Sequence, residues 1–169
     1  CMLFLALESY LQFQYNIFGT RYGIATLIPA ILFFILSYYF DHAGVLSMAI
    51  TAFASFAGIT VSPGLFFSGY LFENSLIYTG ASMGILLAGT GYFLKNQEIK
   101  RHFTFTYYNF GFNLYLLSML TAMFTLEYPF LYFGLHATGC ILLARYAIYE
   151  KSFYFLLMAV IYGYIGLTW

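Results

Sequence analysis

The chain has 169 residues, of which 63% are hydrophobic and only 7% charged, with six basic and six acidic side chains and no net charge. An ordinary soluble domain carries about 25% charged residues, so these few charges cannot cover a soluble globule. The composition excludes a soluble enzyme, a disordered segment and a nucleic-acid-binding module, which needs a basic stripe; with a mean hydropathy of +0.84 it leaves an integral membrane protein.

A helix needs about 20 apolar residues to cross the roughly 30 Å hydrocarbon core. In chain order, residues 1–18 open apolar (CMLFLAL) and then mix in Glu8, Gln12, Gln14 and Asn16. They read as a seventh spanning helix or the end of one. Six further segments follow, at 22–40, 44–62, 76–94, 104–126, 129–144 and 153–169. The sequence therefore predicts an all-α polytopic transmembrane bundle of six to seven spans, in one domain over 1–169. Tyr (18) and Phe (21) favour sheets, but a membrane barrel needs alternating polar and apolar residues. Runs such as IPAILFFILSYYF do not alternate and read as helices. Cys1 in place of an initiator Met, and an apolar end at Trp169, read as cuts in a longer chain. A processed lipoprotein cysteine is the alternative for Cys1.

The connections are short, which makes sequential helices antiparallel neighbours. Residues 41–43 form a tight turn, 95–103 (KNQEIKRHF) are the most polar stretch, and 145–152 (RYAIYEKS) carry charges of both signs. Pro129 suits the first turn of a helix. Residues 63–75, apolar but broken by Pro and Gly, read as an interfacial or re-entrant piece. Lys95, Lys100, Arg101, Arg145 and Lys151 fall on one side and Arg21 on the other. The positive-inside rule then makes 41–43, 95–103 and 145–152 cytoplasmic. Tyr22, Tyr38, Tyr39, Tyr128, Tyr146 and Tyr149 fit the interfacial belts.

Small residues give the clearest pattern. Gly80, Gly84 and Ala88 recur every four residues and leave one helix face nearly bare, as do Ser47, Thr51 and Ser55, and Ala54 with Gly58. Such faces let helices approach closely. Polar candidates are fewer. Glu8, with Gln12 a turn later, makes a polar face for a proton or cation, or else lies at the interface or pairs with Arg21. Asn109 and Asn113 share a face near Tyr107, Tyr108 and Tyr115; they line a polar cavity or make interhelical hydrogen bonds. His136 and Cys140, four apart, share a face; two soft ligands fall short of a metal site, so helix packing is the ordinary use. Ser37, Asp41 and His42 supply the residue types of a hydrolase triad, with nothing in their spacing to indicate one. Walker, GxSxG, HExxH and CxxC signatures are absent, and no cofactor is expected.

The stretches LESYLQFQYNIFGTRYG, YFDHAGVLSMAITAFASFAGI, KRHFTFTYYNFGF and RYAIYEKSFYFLLMAVIYGYIGL resemble a group of uncharacterised bacterial multi-pass membrane proteins, domain-of-unknown-function family 2157. That resemblance implies a bacterial inner membrane and supplies no catalytic residue. The leading expectation is a non-enzymatic packing or assembly component, with the lipid bilayer and protein partners in a membrane complex around it and no nucleic acid. A small-solute or ion transporter, with Glu8, Asn109, Asn113 and His136 converging on one midplane cavity, is the first alternative. A membrane redox or enzyme subunit using His136 is the second.

Overall fold

The computed structural model describes residues 22–61, 74–98 and 100–168, together with residues 10, 14 and 15. Among them there are six long helices and no strand. They are α1 (Tyr22–Phe40), α2 (Ala43–Val61), α3 (Asn74–Asn96), α4 (Phe103–Thr125), α5 (Pro129–Tyr149) and α6 (Phe153–Leu167). Three of them, α2, α3 and α5, are long and apolar enough to cross a membrane. Helix α4 matches α3 in length at 23 residues. It carries Thr, Asn and Tyr side chains and is not among those three. Helix α1 contributes a shorter apolar stretch, Ile24–Phe40, and α6 another. The expected helix at 1–18 and the interfacial piece at 63–75 fall almost wholly outside the described residues.

The largest boundary difference from the sequence reading is at the end of α5. Residues 145–149, expected in a connection, continue α5. Nothing in RYAIY breaks a helix, because it contains neither Gly nor Pro. The stop comes at Lys151, which takes a left-handed φ of 53°. The Ser152 amide then reaches back to the Ala147 carbonyl at 2.9 Å and the Lys151 amide to Ile148 at 3.3 Å. These are the two bonds of a Schellman ending.

The chain forms two compact units. The first holds α1, α2 and residues 93–106. Ala30, Phe33 and Ser37 are buried on α1 and Leu46, Ala49 and Ile50 on α2. These are helical spacings, so each helix buries one stripe. The turn between them is built by two residues. Asp41 adopts a left-handed φ of 57°, and the His42 amide bonds to the Ser37 carbonyl at 3.1 Å, ending α1. The His42 imidazole then starts α2: its Nδ1 accepts the Gly44 amide at 3.1 Å and lies 3.4 Å from the Val45 amide. This N-cap needs Nδ1 unprotonated. Gly44 makes room for it, since a Cβ there would lie 3.0 Å from the imidazole Cε1. Ser37 meanwhile is buried and donates to the Phe34 carbonyl. The Ser37 and His42 side chains thus each bond to backbone at a helix end.

Lys100 and His102 reach this same turn within the first unit. Lys100 Nζ donates to the Tyr38 carbonyl and lies 2.7 Å from the Asp41 carboxylate. His102 Nε2 stands 3.4 Å from the same oxygen. The Lys100 ammonium also sits 5.4 Å from the Tyr38 ring centre and 5.5 Å from that of Phe103. The hydrogen bond from Lys100 holds the Asp41 carboxyl below its ordinary range; the charges of His102 and Lys100 add to this, and desolvation opposes it.

The second unit holds residues 72–92 and 107–169, so it contains most of α3 and α4 with all of α5 and α6. Sequential helices run antiparallel, as their contacts show: on α3 and α4, Gly80 meets Ser118, Gly84 meets Tyr115, and Gly91 meets Tyr107. The core is built from Tyr108 and Leu116 of α4, Leu143 and Ala147 of α5, and Phe155, Met158 and Ala159 of α6. Backbone meets backbone where α3 crosses α4. A Cβ on Gly84 would lie 2.6 Å from the Tyr115 amide nitrogen, and one on Gly111 would lie 2.7 Å from the Ala88 nitrogen. Backbone atoms cannot swing aside, so these two positions exclude any side chain. The small-residue face at Gly80, Gly84 and Ala88 therefore does pack closely, and its counterpart is Gly111.

Two outcomes follow. Gly84→Ala should lower stability in detergent by about 1–3 kcal/mol. Gly134→Ala, where a Cβ would meet nothing within 4 Å, should be neutral or add up to about 1 kcal/mol through helix propensity. Equilibrium unfolding of the two variants side by side checks this. Separately, Asp41 has a depressed pKa, so its contribution is complete above the unfolded value and is lost as pH falls through the lower folded one. Thermal unfolding of the parent should show an extra loss below about pH 3.8. Asp41→Asn should lack that acid limb.

Candidate polar seam between the last three helices

Helix α6 places Tyr154, Met158 and Tyr162 at four-residue steps, and α4 places Asn109 and Asn113 at the same step. Four-residue spacing keeps each set on one helix face, and the two faces meet. The Tyr154 hydroxyl donates to Asn109 Oδ1 at 2.8 Å. The Tyr162 hydroxyl donates to Asn113 Oδ1 at 3.0 Å. Asn113 Nδ2 donates to Asn109 Oδ1 at 2.9 Å and to the Asn109 carbonyl at 2.8 Å. Met158 Sδ lies 3.4 Å from the same nitrogen. Asn113 thus has both ends of its amide engaged, and Asn109 Oδ1 accepts twice.

His136 of α5 joins this seam against Tyr162 and Gly166 of α6. It is 1% exposed, and its Nε2 lies 3.0 Å from the Tyr162 backbone carbonyl. A carbonyl only accepts, so Nε2 carries the proton. Nδ1 is buried and has no hydrogen-bond partner among the described residues. Gly166 admits the ring, since a Cβ there would stand 2.8 Å from His136 Cδ2. Cys140 Sγ lies 3.6 Å from Nε2. The expected pairing of His136 with Cys140 on one face is therefore present. No group of three metal-ligating side chains occurs among the described residues.

Of the four residues expected to line a cavity, three come together: Asn109, Asn113 and His136 are linked through α6. Glu8 lies outside the described residues, as does Arg21. The members that sequence reasoning missed are Tyr154, Tyr162 and Met158. Their four-residue spacing was visible, but in a chain with 18 tyrosines that spacing singles out nothing. Tyr115, grouped with the asparagines in the sequence reading, serves elsewhere. Its hydroxyl donates to the Leu135 carbonyl at 3.1 Å, and its ring lies over Gly139. Tyr108 packs on Tyr146 with ring centres 4.4 Å apart. At the far ends of α3 and α5, the Tyr78 and Tyr132 hydroxyls meet at 3.1 Å.

The arrangement ties α4, α5 and α6 together at a shared polar line. Its chemistry is hydrogen bonding, with one basic nitrogen left open. Comparisons with protein-family models, with curated proteins and with solved structures return no match to this chain.

A double-mutant cycle tests the seam. Asn113→Leu and Tyr162→Phe should couple by about 0.6 kcal/mol, and by no more than about 1.7, as interhelical hydrogen bonds in membranes do. Unfolding of the two single variants and the double variant gives the coupling directly. Strict additivity would mean that the bond contributes nothing.

Proposed function

We propose that this chain is an integral component of the bacterial inner membrane, a bundle of six to seven spans that works by helix association rather than by catalysis. The connections around 41–43, 95–103 and 150–152 are placed on the cytoplasmic side in this reading, because the lysines and arginines collect there. The likeness to family 2157 belongs to the same proposal. One observation carries it: the polar groups inside the second unit are largely answered by one another. Asn109 and Asn113 are committed to Tyr154, Tyr162 and each other. Meanwhile α5 and α6 turn Leu131, Leu135, Ile141, Leu142, Val160 and Ile161 outward. Such a unit is built to pack in lipid and against other helices.

A transporter is the second reading, and a specific feature favours it. Asn109, Asn113 and His136 converge on α6, and His136 Nδ1 is buried with no hydrogen-bond partner among the described residues. A solute path would need Asn113 to release Tyr162 so that its amide faced the solute instead.

Native mass spectrometry on protein extracted gently from its own membrane separates the two. The association reading predicts a defined complex with companion subunits or further copies of the chain. A lone subunit carrying a small-molecule adduct would overturn it in favour of transport. In that case Asn113→Ala should abolish uptake of the adduct molecule.

A further inference from the structure

Helix α5 is divided lengthwise. His136, Gly139, Leu143 and Ala147 are buried. Leu131, Leu135, Ile141, Leu142, Ile148 and Tyr149 are exposed. Arg145 is exposed too and stands three residues after Leu142 and three before Ile148. That spacing puts it inside the outward apolar stripe, not opposite it. It is also four residues short of the helix end, or about 6 Å along the axis at 1.5 Å per residue.

A guanidinium on a hydrocarbon-facing stripe needs an anion. No carboxylate pairs with Arg145 or with exposed Lys151 among the described residues. Glu150 is half-buried and has an interaction of its own. Among the described residues, two cations are therefore left without a carboxylate at one end of a lipid-like face. Arginine reaches outward along such a face to the headgroup level, keeping its stem in hydrocarbon, and its planar fork matches phosphate oxygens two at a time. Lys151, held by its left-handed backbone just past the helix end, adds a second charge at that level.

We propose that Arg145 and Lys151 bind the phosphate of an anionic phospholipid whose acyl chain lies along Leu142 and Leu135. This rests on the membrane reading given above and adds to it a named site and a ligand class. The lipid, and not free phosphate, is the ligand because the apolar stripe continues directly from the cations. Arg101 is the built-in control. It is exposed, but it lies in a polar connection with no such stripe beneath it.

The test uses the whole chain purified in detergent, with phosphatidylglycerol or phosphatidylcholine added and the retained lipid counted by native mass spectrometry. The parent should retain phosphatidylglycerol in preference to phosphatidylcholine. Arg145→Gln and Lys151→Gln should each weaken retention about fivefold, the usual effect of one cation near an anionic membrane surface. Arg145→Lys should bind between the parent and Arg145→Gln, because it keeps the charge and loses the planar fork. Arg101→Gln should bind as the parent does. Equal retention of the two lipids, or an unchanged Arg145→Gln/Lys151→Gln variant, would overturn the site. Displacement of the lipid by inorganic phosphate would overturn the lipid assignment. The membrane reading fails by a different measurement: a chain washed from membranes by alkaline carbonate is not integral, whatever lipid it retains in detergent.

Discussion

The outward surfaces of α5 and α6 are hydrocarbon, and that constraint governs how polar groups are placed in the second unit. In a membrane, an uncharged polar group on such a surface would find no partner in the hydrocarbon and would need one in its own helix or across an interface. Both solutions are used. Thr121, Thr125 and Thr138, all exposed to some degree, donate to the carbonyl one turn back in their own helices. Side chains with more capacity, such as Asn113, cannot be satisfied locally and are turned inward. There they fix which helix faces which: Asn109 can meet Tyr154, and Asn113 Tyr162, only if α4 and α6 lie side by side in one register.

The rest of the second unit follows from how closely its helices approach. Gly84 and Gly111 bring α3 and α4 to backbone contact, Gly139 receives the Tyr115 ring, and Gly166 receives the His136 ring. Each glycine faces either a backbone or a flat ring, and each sits on a different helix. A Cβ on Gly89, Gly134 or Gly163 would meet nothing within 4 Å among the described residues. Dispersion contacts grow steeply with proximity, and in lipid there is little hydrophobic drive to bring helices together. In a membrane, small residues at the crossings would therefore be a main source of cohesion, with the polar seam selecting the register.

Much of the fold was legible because length and apolarity alone define such helices. The starts at Tyr22, Pro129 and Phe153 coincide with the expected ones. The end of α5 was missed because Arg145 was taken as the mark of a connection, although a charged residue does not stop a helix. Lys151 does, and a lysine in left-handed conformation has no sequence signature. The close face at Gly80, Gly84 and Ala88 was visible as a repeat, but Gly111 was not, since a single glycine beside aromatics shows no period. Half of the seam was visible in Asn109 and Asn113. Its tyrosines were hidden by their abundance, and the capping role of His42 was hidden because histidine is an uncommon N-cap.

The central claim is that these helices span a membrane with their connections on defined sides. The direct measurement is labelling by a membrane-impermeant maleimide in sealed inside-out inner-membrane vesicles. The proteins would be otherwise cysteine-free and would carry Gln97→Cys, Lys151→Cys or Glu127→Cys. The account predicts that Gln97→Cys and Lys151→Cys react at once, and that Glu127→Cys reacts only after detergent opens the vesicles. Equal labelling of all three positions in sealed vesicles would contradict it.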